Sequence, residues 1–162
     1  MKVLVDGDAC PVKAEVEQVA TRHGIGVVIV SNGGLRPSRN PLVKMIVVDE
    51  GPDMADQWIA KECEPEDIVI TSDIVLASRC LEARARALRP DGEAFTAANI
   101  GAQLAMRDLM ADIRASSPLS SGGGGGKPFT KSDRSRFLDR LEREIRAAKS
   151  ALARGQSSQG QA

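Results

Sequence analysis

Short β-branched and aliphatic runs alternate with helical patterns along the first two thirds of the chain, and that alternation restricts the fold more than any other feature. Residues 2–5, 26–30, 43–48 and 67–71 read as buried strands. Between them, Pro11 opens a helix to about Arg22 with Val12, Val16, Val19 and Ala20 on one face. Gly24 closes it. A second helix spans 53–62 with Asp53 as its expected N-cap, and a third spans 73–85. Residues 87–88 form an edge strand. A longer helix, from about 96 to 114, places Ile100, Leu104, Leu109 and Ile113 toward a core. Strands that alternate with helices imply a mainly parallel sheet of four to five strands covered on both faces, a three-layer α/β/α sandwich. Right-handed crossovers then bring the ends of the first, third and fourth strands to one edge.

The composition fits one such domain. The chain has 162 residues, of which 42% are hydrophobic and 27% charged, enough for a single core and ordinary for a globular protein. No apolar run approaches the length of a membrane span, and the N-terminus enters the first strand without a secretory leader, so the cytoplasm is the expected location. Cys10, Cys63 and Cys80 are odd in number and widely spaced, which argues against a disulfide framework or a zinc site.

The divisions follow from composition. Residues 1–115 form the α/β domain, and 116–126, with two Ser-Ser pairs and five consecutive glycines, read as a flexible linker. Residues 127–150 are a C-terminal amphipathic helix. It opens on a capping box at Thr130-Lys131-Ser132-Asp133 and carries an apolar stripe of Phe137, Leu141, Ile145 and Ala148. Residues 151–162 are a polar tail expected to lack structure. A formal charge of zero hides a net of +5 in 127–162 against −5 in 1–126. That asymmetry is compatible with a nucleic-acid partner and equally with a solvated helix.

Three aspartate clusters fall where a strand or its loop meets a helix: Asp6 and Asp8, Asp53 and Asp56, and Asp73. In an open α/β sheet the C-terminal strand ends form the ligand crevice. Each residue has a structural explanation, since Asp shapes turns and caps helices. Capping needs one Asp per helix, however, and does not favour pairs. Asp6 and Asp8 are spaced to point the same way at a strand end, and Asp53 and Asp56 share a helix face. Carboxylates gathered in one crevice repel one another unless a cation holds them, and all-oxygen ligation suits Mg²⁺ or Mn²⁺. Such a site can activate water and stabilise a leaving oxygen in phosphodiester hydrolysis without a histidine base.

The strings Val-Asp-Gly-Asp-Ala-Cys-Pro-Val (5–12), Asp-Met-Ala-Asp-Gln-Trp-Ile (53–59), Thr-Ser-Asp-Ile-Val-Leu-Ala (71–77) and Lys-Pro-Phe-Thr-Lys-Ser-Asp-Arg (127–134) resemble the YaiI/YqxD family, bacterial proteins of uncharacterised function grouped with PIN-like domains. The resemblance covers about residues 2–145. It implies a PIN-like α/β/α sandwich and, by analogy, a metal-dependent ribonuclease acting on RNA. Metal binding and catalysis then fall on Asp6, on Asp53 or Asp56, and on Asp73, with Asp8 as an additional metal ligand. The glycine run before Pro128-Phe129 is longer than the short Gly-Gly-Pro usual in that family.

Asn32, Arg36 and Arg39 follow the second strand on the same edge and are candidates to grip a substrate phosphate, against the alternative of a solvated polar loop. Cys10, at a helix start, is conceivable as a nucleophile but fits better as a buried apolar residue. Only four aromatics, none of them Tyr, leave little for a base-stacking platform. Two rival functions remain. Asp6-x-Asp8 after a first strand resembles the opening of haloacid-dehalogenase phosphatases, in which Asp6 would be the nucleophile. Alternatively the acidic cluster holds a structural cation in a non-catalytic RNA-binding or interaction module.

Overall fold

The computed structural model describes residues 1–8, 10–116 and 127–160. The chain runs β1 (Val3–Asp6), α1 (Lys13–Arg22), β2 (Val27–Ser31), β3 (Val43–Val47), α2 (Met54–Glu62), β4 (Ile68–Ile70), α3 (Ile74–Glu82), β5 (Arg86–Leu88), β6 (Ala94–Phe95), α4 (Ile100–Ser116) and α5 (Lys131–Gln159). The strands form one sheet of order β3-β2-β1-β4-β5-β6. All neighbours are parallel except β5 and β6, which pair antiparallel. Among the described residues the sheet therefore has six strands rather than four or five, because the Asp91-Gly92 turn folds a two-residue strand back on the edge.

Alternation along β1 assigns the layers. Val3 and Val5 face one side, where they join Val16 and Val19 of α1 and Phe137, Leu141 and Ile145 of α5. Leu4 faces the other, with Ala55 and Ile59 of α2 and Leu76 and Cys80 of α3. The result is a three-layer α/β/α sandwich in which the C-terminal helix is part of one outer layer. Phe137, Leu141, Ile145 and Ala148 are all fully buried, as their spacing requires. Thr130 caps α5 through its side chain, and the Asp133 carboxylate accepts from the Thr130 amide in return.

Two sequence expectations about the helices change, and one about the linker falls outside the described residues. No residue of α4 is buried: Leu109 is 52% and Ile113 47% exposed, although both have core spacing. Only Ile100, at its start, packs on the small cluster of Ala77, Ala87 and Phe95. The helix leans on α3, and among the described residues the rest of its apolar stripe meets no second layer. Next, α5 continues through residues read as a tail, to Gln159. Small and helix-compatible residues such as Ala151, Leu152, Ala153 and Arg154 propagate a helix already nucleated by docking. Finally, of the expected linker only Ser116 lies within the described residues, as the last residue of α4. No helix among the described residues is long and apolar enough to cross a membrane.

Candidate functional site

Connections run from β1 outward to β2 and β3, and from β4 outward to β5. The direction reverses between β1 and β4, and the crevice outside their C-terminal ends is where open α/β sheets accept ligands. Asp6 ends β1 at this point. Its Oδ2 accepts from the buried Thr71 hydroxyl, just past β4, at 3.2 Å. The chain then leaves through Gly7, whose amide donates to the Val30 carbonyl at 2.8 Å. A Cβ at Gly7 would stand 2.8 Å from Ile29 Cγ2 and 2.9 Å from that carbonyl, so the loop bearing Asp8 passes here only as glycine. Lys13 Nζ braces the loop by donating to the carbonyls of Cys10 (2.7 Å) and Gly7 (3.3 Å).

Asp53 and Asp73 occupy equivalent positions at the starts of α2 and α3 but behave differently. Asp73 caps its helix, with Oδ1 accepting from the Leu76 amide at 3.0 Å, and its own amide donates to Thr71 Oγ1 at 3.0 Å. Asp53 holds the N-cap position of α2, yet its side chain makes no capping bond. The expected cap is therefore absent. Its backbone is left-handed (φ 66°), a region that Asp tolerates better than most side chains. Asp56 projects from the first turn of α2.

These elements bring Asp53, Asp56 and Asp73 together: each offers one carboxylate oxygen, and the three oxygens lie within 4.8 Å of one another. Asp6 and Asp8 border this triad. Both line an adjoining cleft of about 80 Å³ together with Asn32, Asp53 and Asp56, and another of about 260 Å³ with Thr71 and Asp73. Of the basic loop only Asn32 reaches the carboxylates; Arg36 and Arg39 are exposed and line none of these clefts.

The electrostatics follow from the crowding. Burial, followed by the charges of Asp73 and Asp6, pushes the Asp56 carboxyl up to about 7. Asp6 is also raised, first by burial, with Asp8 and Asp73 adding to it and the Thr71 hydrogen bond opposing. Burial and like charges at close range both disfavour the ionised form, so the crowded carboxylates resist ionisation. All-oxygen donors fit a hard dication, and a zinc-type nitrogen or sulfur set is not present among them.

Cations approach from the far side. Arg79 of α3 and Arg107 of α4 line a cleft of about 140 Å³ with Asp53, Asp56, Gln57 and Asp73. Sequence reasoning missed both, as well as Thr71. Thr71 sits within one of the strings already singled out, and a hydroxyl at a strand end beside an aspartate was the available signal. Arg107 comes from α4, and nothing local announces where that helix docks. Cys10 is buried with its thiol pKa raised by that burial, which suits packing and not nucleophilic attack.

Fold and site together define an α/β protein with an acidic crevice at the switch point of a parallel sheet. Within that class, the chain belongs to the family described as "Uncharacterized BCR, YaiI/YqxD family", whose profile matches residues 4–147. It is 68% identical over 146 residues to a UPF0178 protein of Ruegeria pomeroyi, covering 90% of this chain and 94% of that one. A UPF0178 protein of Cereibacter sphaeroides is 55% identical over 158 residues, covering 98% and 94%. One from Parvibaculum lavamentivorans is 55% identical over 146 residues, covering 90% and 94%. No solved structure gives a significant match.

Proposed function

We propose that the protein is a Mg²⁺- or Mn²⁺-dependent phosphodiester hydrolase acting on RNA. The observation that carries this reading is the convergence of Asp53, Asp56 and Asp73, from two different helix starts, to within 4.8 Å. Asp6, Asp53, Asp56 and Asp73 would hold the cation, with Asp8 in support. When bound, it supplies an activated water and charge stabilisation for the leaving oxygen. The chain's own residues do the positioning. Thr71 fixes Asp6 and the Asp73 backbone in one geometry, joining the β1 and β4 sides of the crevice. Arg79 and Arg107, which line the neighbouring cleft, would take a non-bridging phosphate oxygen, and Asn32 would close the opposite side. The grouping of the YaiI/YqxD family with PIN-like domains implies, by analogy, the same aspartates.

A phosphatase of the haloacid-dehalogenase kind is less well supported. Its nucleophilic Asp works beside a lysine, and no lysine lines either cleft that contains Asp6.

The test is cleavage of a mixed RNA pool by purified protein with Mn²⁺. Asp6→Asn retains the acceptor for Thr71 and Asp73→Asn retains the acceptor for Leu76, so both should fold. Each is expected to lower cleavage at least a hundredfold, the scale on which metal ligands and transition-state contacts act. Undiminished cleavage in both variants refutes the assignment. Saturable Mn²⁺ binding with a raised Tm and no cleavage in the wild type would instead favour the non-catalytic module.

A further inference from the structure

The turn between β5 and β6 presses against the first turns of α5. A Cβ at Gly92 (φ +91°) would stand 2.6 Å from the Arg136 carbonyl carbon, so glycine alone permits the approach. Beside it lies a cleft of about 360 Å³ that gathers Arg89, Lys127 and Arg136 with Phe129.

Arg89 is the unusual member. Its Nη2 donates to Gln103 Oε1 at 2.7 Å, and its guanidinium lies over the Phe95 ring, 4.8 Å from the centroid. Neither contact neutralises its charge. Its Nε is buried without a hydrogen-bond partner, and among the described residues no carboxylate pairs with it. Held by neutral groups alone, the half-buried guanidinium leaves its charge uncompensated beside the cleft.

Two carboxylates also line the cleft, and both are engaged. Asp133 accepts from the Thr130 amide at 2.9 Å and pairs with Arg136, while Asp91 accepts from the Glu93 amide at 2.9 Å. Three cations against two tied carboxylates leave the cleft positive. At Ser72 and Pro90 it adjoins the cleft lined by Asp6, Asp8 and Asp73. A cationic cleft next to the carboxylate cluster, on one continuous edge, matches a chain of phosphates rather than a single one if that cluster holds its proposed dication.

We infer that the cleft between the β5–β6 turn and α5 is an anion subsite that takes a backbone phosphate of an RNA strand whose neighbouring segment crosses the carboxylate cluster. The inference rests on the hydrolase reading for the placement of that neighbouring segment, but binding at the cleft is independent of catalysis.

The experiment measures anisotropy of a fluorescein-labelled dodecauridylate with the full chain in EDTA, where no dication contributes. Lys127→Gln/Arg136→Gln is compared with Arg143→Gln/Arg154→Gln, which removes the same charge from exposed positions farther along α5. The cleft pair should weaken binding roughly tenfold and lower the slope of log K against log salt by about 0.7, as loss of one single-strand phosphate contact requires. The control pair should change affinity less than about twofold. Lys127→Gln alone, at the described edge of the cleft, should give an intermediate loss and guards against misfolding of the double variant. Equal losses in both pairs, or none in the cleft pair, would overturn the subsite. Displacement of the oligomer by inorganic phosphate or uridine monophosphate at matching concentration would also overturn it, in favour of a small-phosphate site. Cleft-dependent binding without cleavage in Mn²⁺ leaves the subsite standing and removes the hydrolase. Cleavage without cleft dependence does the reverse.

Discussion

Asp73 has two tasks that single substitutions can separate. One oxygen caps α3 by accepting from Leu76, and a carboxylate oxygen also joins the triad with Asp53 and Asp56. Asparagine keeps the neutral acceptor and removes the charge, whereas alanine removes both. Asp73→Asn is therefore expected to abolish the Mn²⁺-dependent rise in Tm with little loss of stability in EDTA. Asp73→Ala should abolish the same rise and also cost about 1 kcal/mol, the usual value of an N-cap, read from urea unfolding in EDTA. If both variants keep the Mn²⁺ response, the residue is a cap and nothing else. Asp53 offers the contrast within the same sheet edge. It sits where a cap belongs and does not cap, in a left-handed conformation that turns a helix-start residue into part of the cluster.

At the scale of elements, α5 shows what sequence pattern reads well. Its capping box and its stripe are local signals, with periods set by the helix itself, and the structure places both as expected. Its fully buried Phe137 joins the core beneath β1 and α1, so Phe137→Ala should cost about 3–5 kcal/mol in urea unfolding. A cost below about 1 kcal/mol would mean that α5 docks too loosely to hold the cleft it shares with the β5–β6 turn. The alternating strands and the switch-point aspartates were legible for a similar reason, because a parallel sheet needs crossovers and its strand ends must share an edge. What sequence could not give was docking at long range. Leu109 and Ile113 have the spacing of core residues, but spacing records that a helix is amphipathic and not whether a partner covers its face. Arg107 reaches the acidic cleft, and Arg36 and Arg39 stay clear of it, for equally non-local reasons.

Across the whole molecule, ion pairs of both senses fasten α5 to the rest of the fold. Glu142 of α5 takes Arg22 at 2.6 Å and His23 at 2.9 Å from α1, while Arg134 of α5 reaches Glu15 at 3.1 Å and Arg86 reaches Glu144 at 3.0 Å. The hydrogen bond from His23, and then that from Arg22, hold Glu142 down to about 2. A carboxylate depressed in the folded state contributes stability above its unfolded pKa, and that contribution is lost as pH falls from about 4.5 toward 2. Asp56 has the opposite sign. Raised from 3.8 to about 7, it binds its proton more tightly when folded, so stability declines as pH climbs through that window. In EDTA, Tm should therefore rise between pH 2 and 4.5 and fall between pH 4 and 7, with a maximum near the overlap of the two windows. Glu142→Gln should make the acid limb shallower and leave the neutral limb unchanged, because it removes one depressed carboxylate without touching the crevice. Asp56→Asn should make the neutral limb shallower, leaving the part that Asp6 contributes, and Mn²⁺ should do the same to the wild type by compensating the crowded carboxylates. A neutral limb that persists unchanged in both Asp56→Asn and Mn²⁺-saturated protein would show that the crevice carboxylates neither strain the fold nor hold a dication.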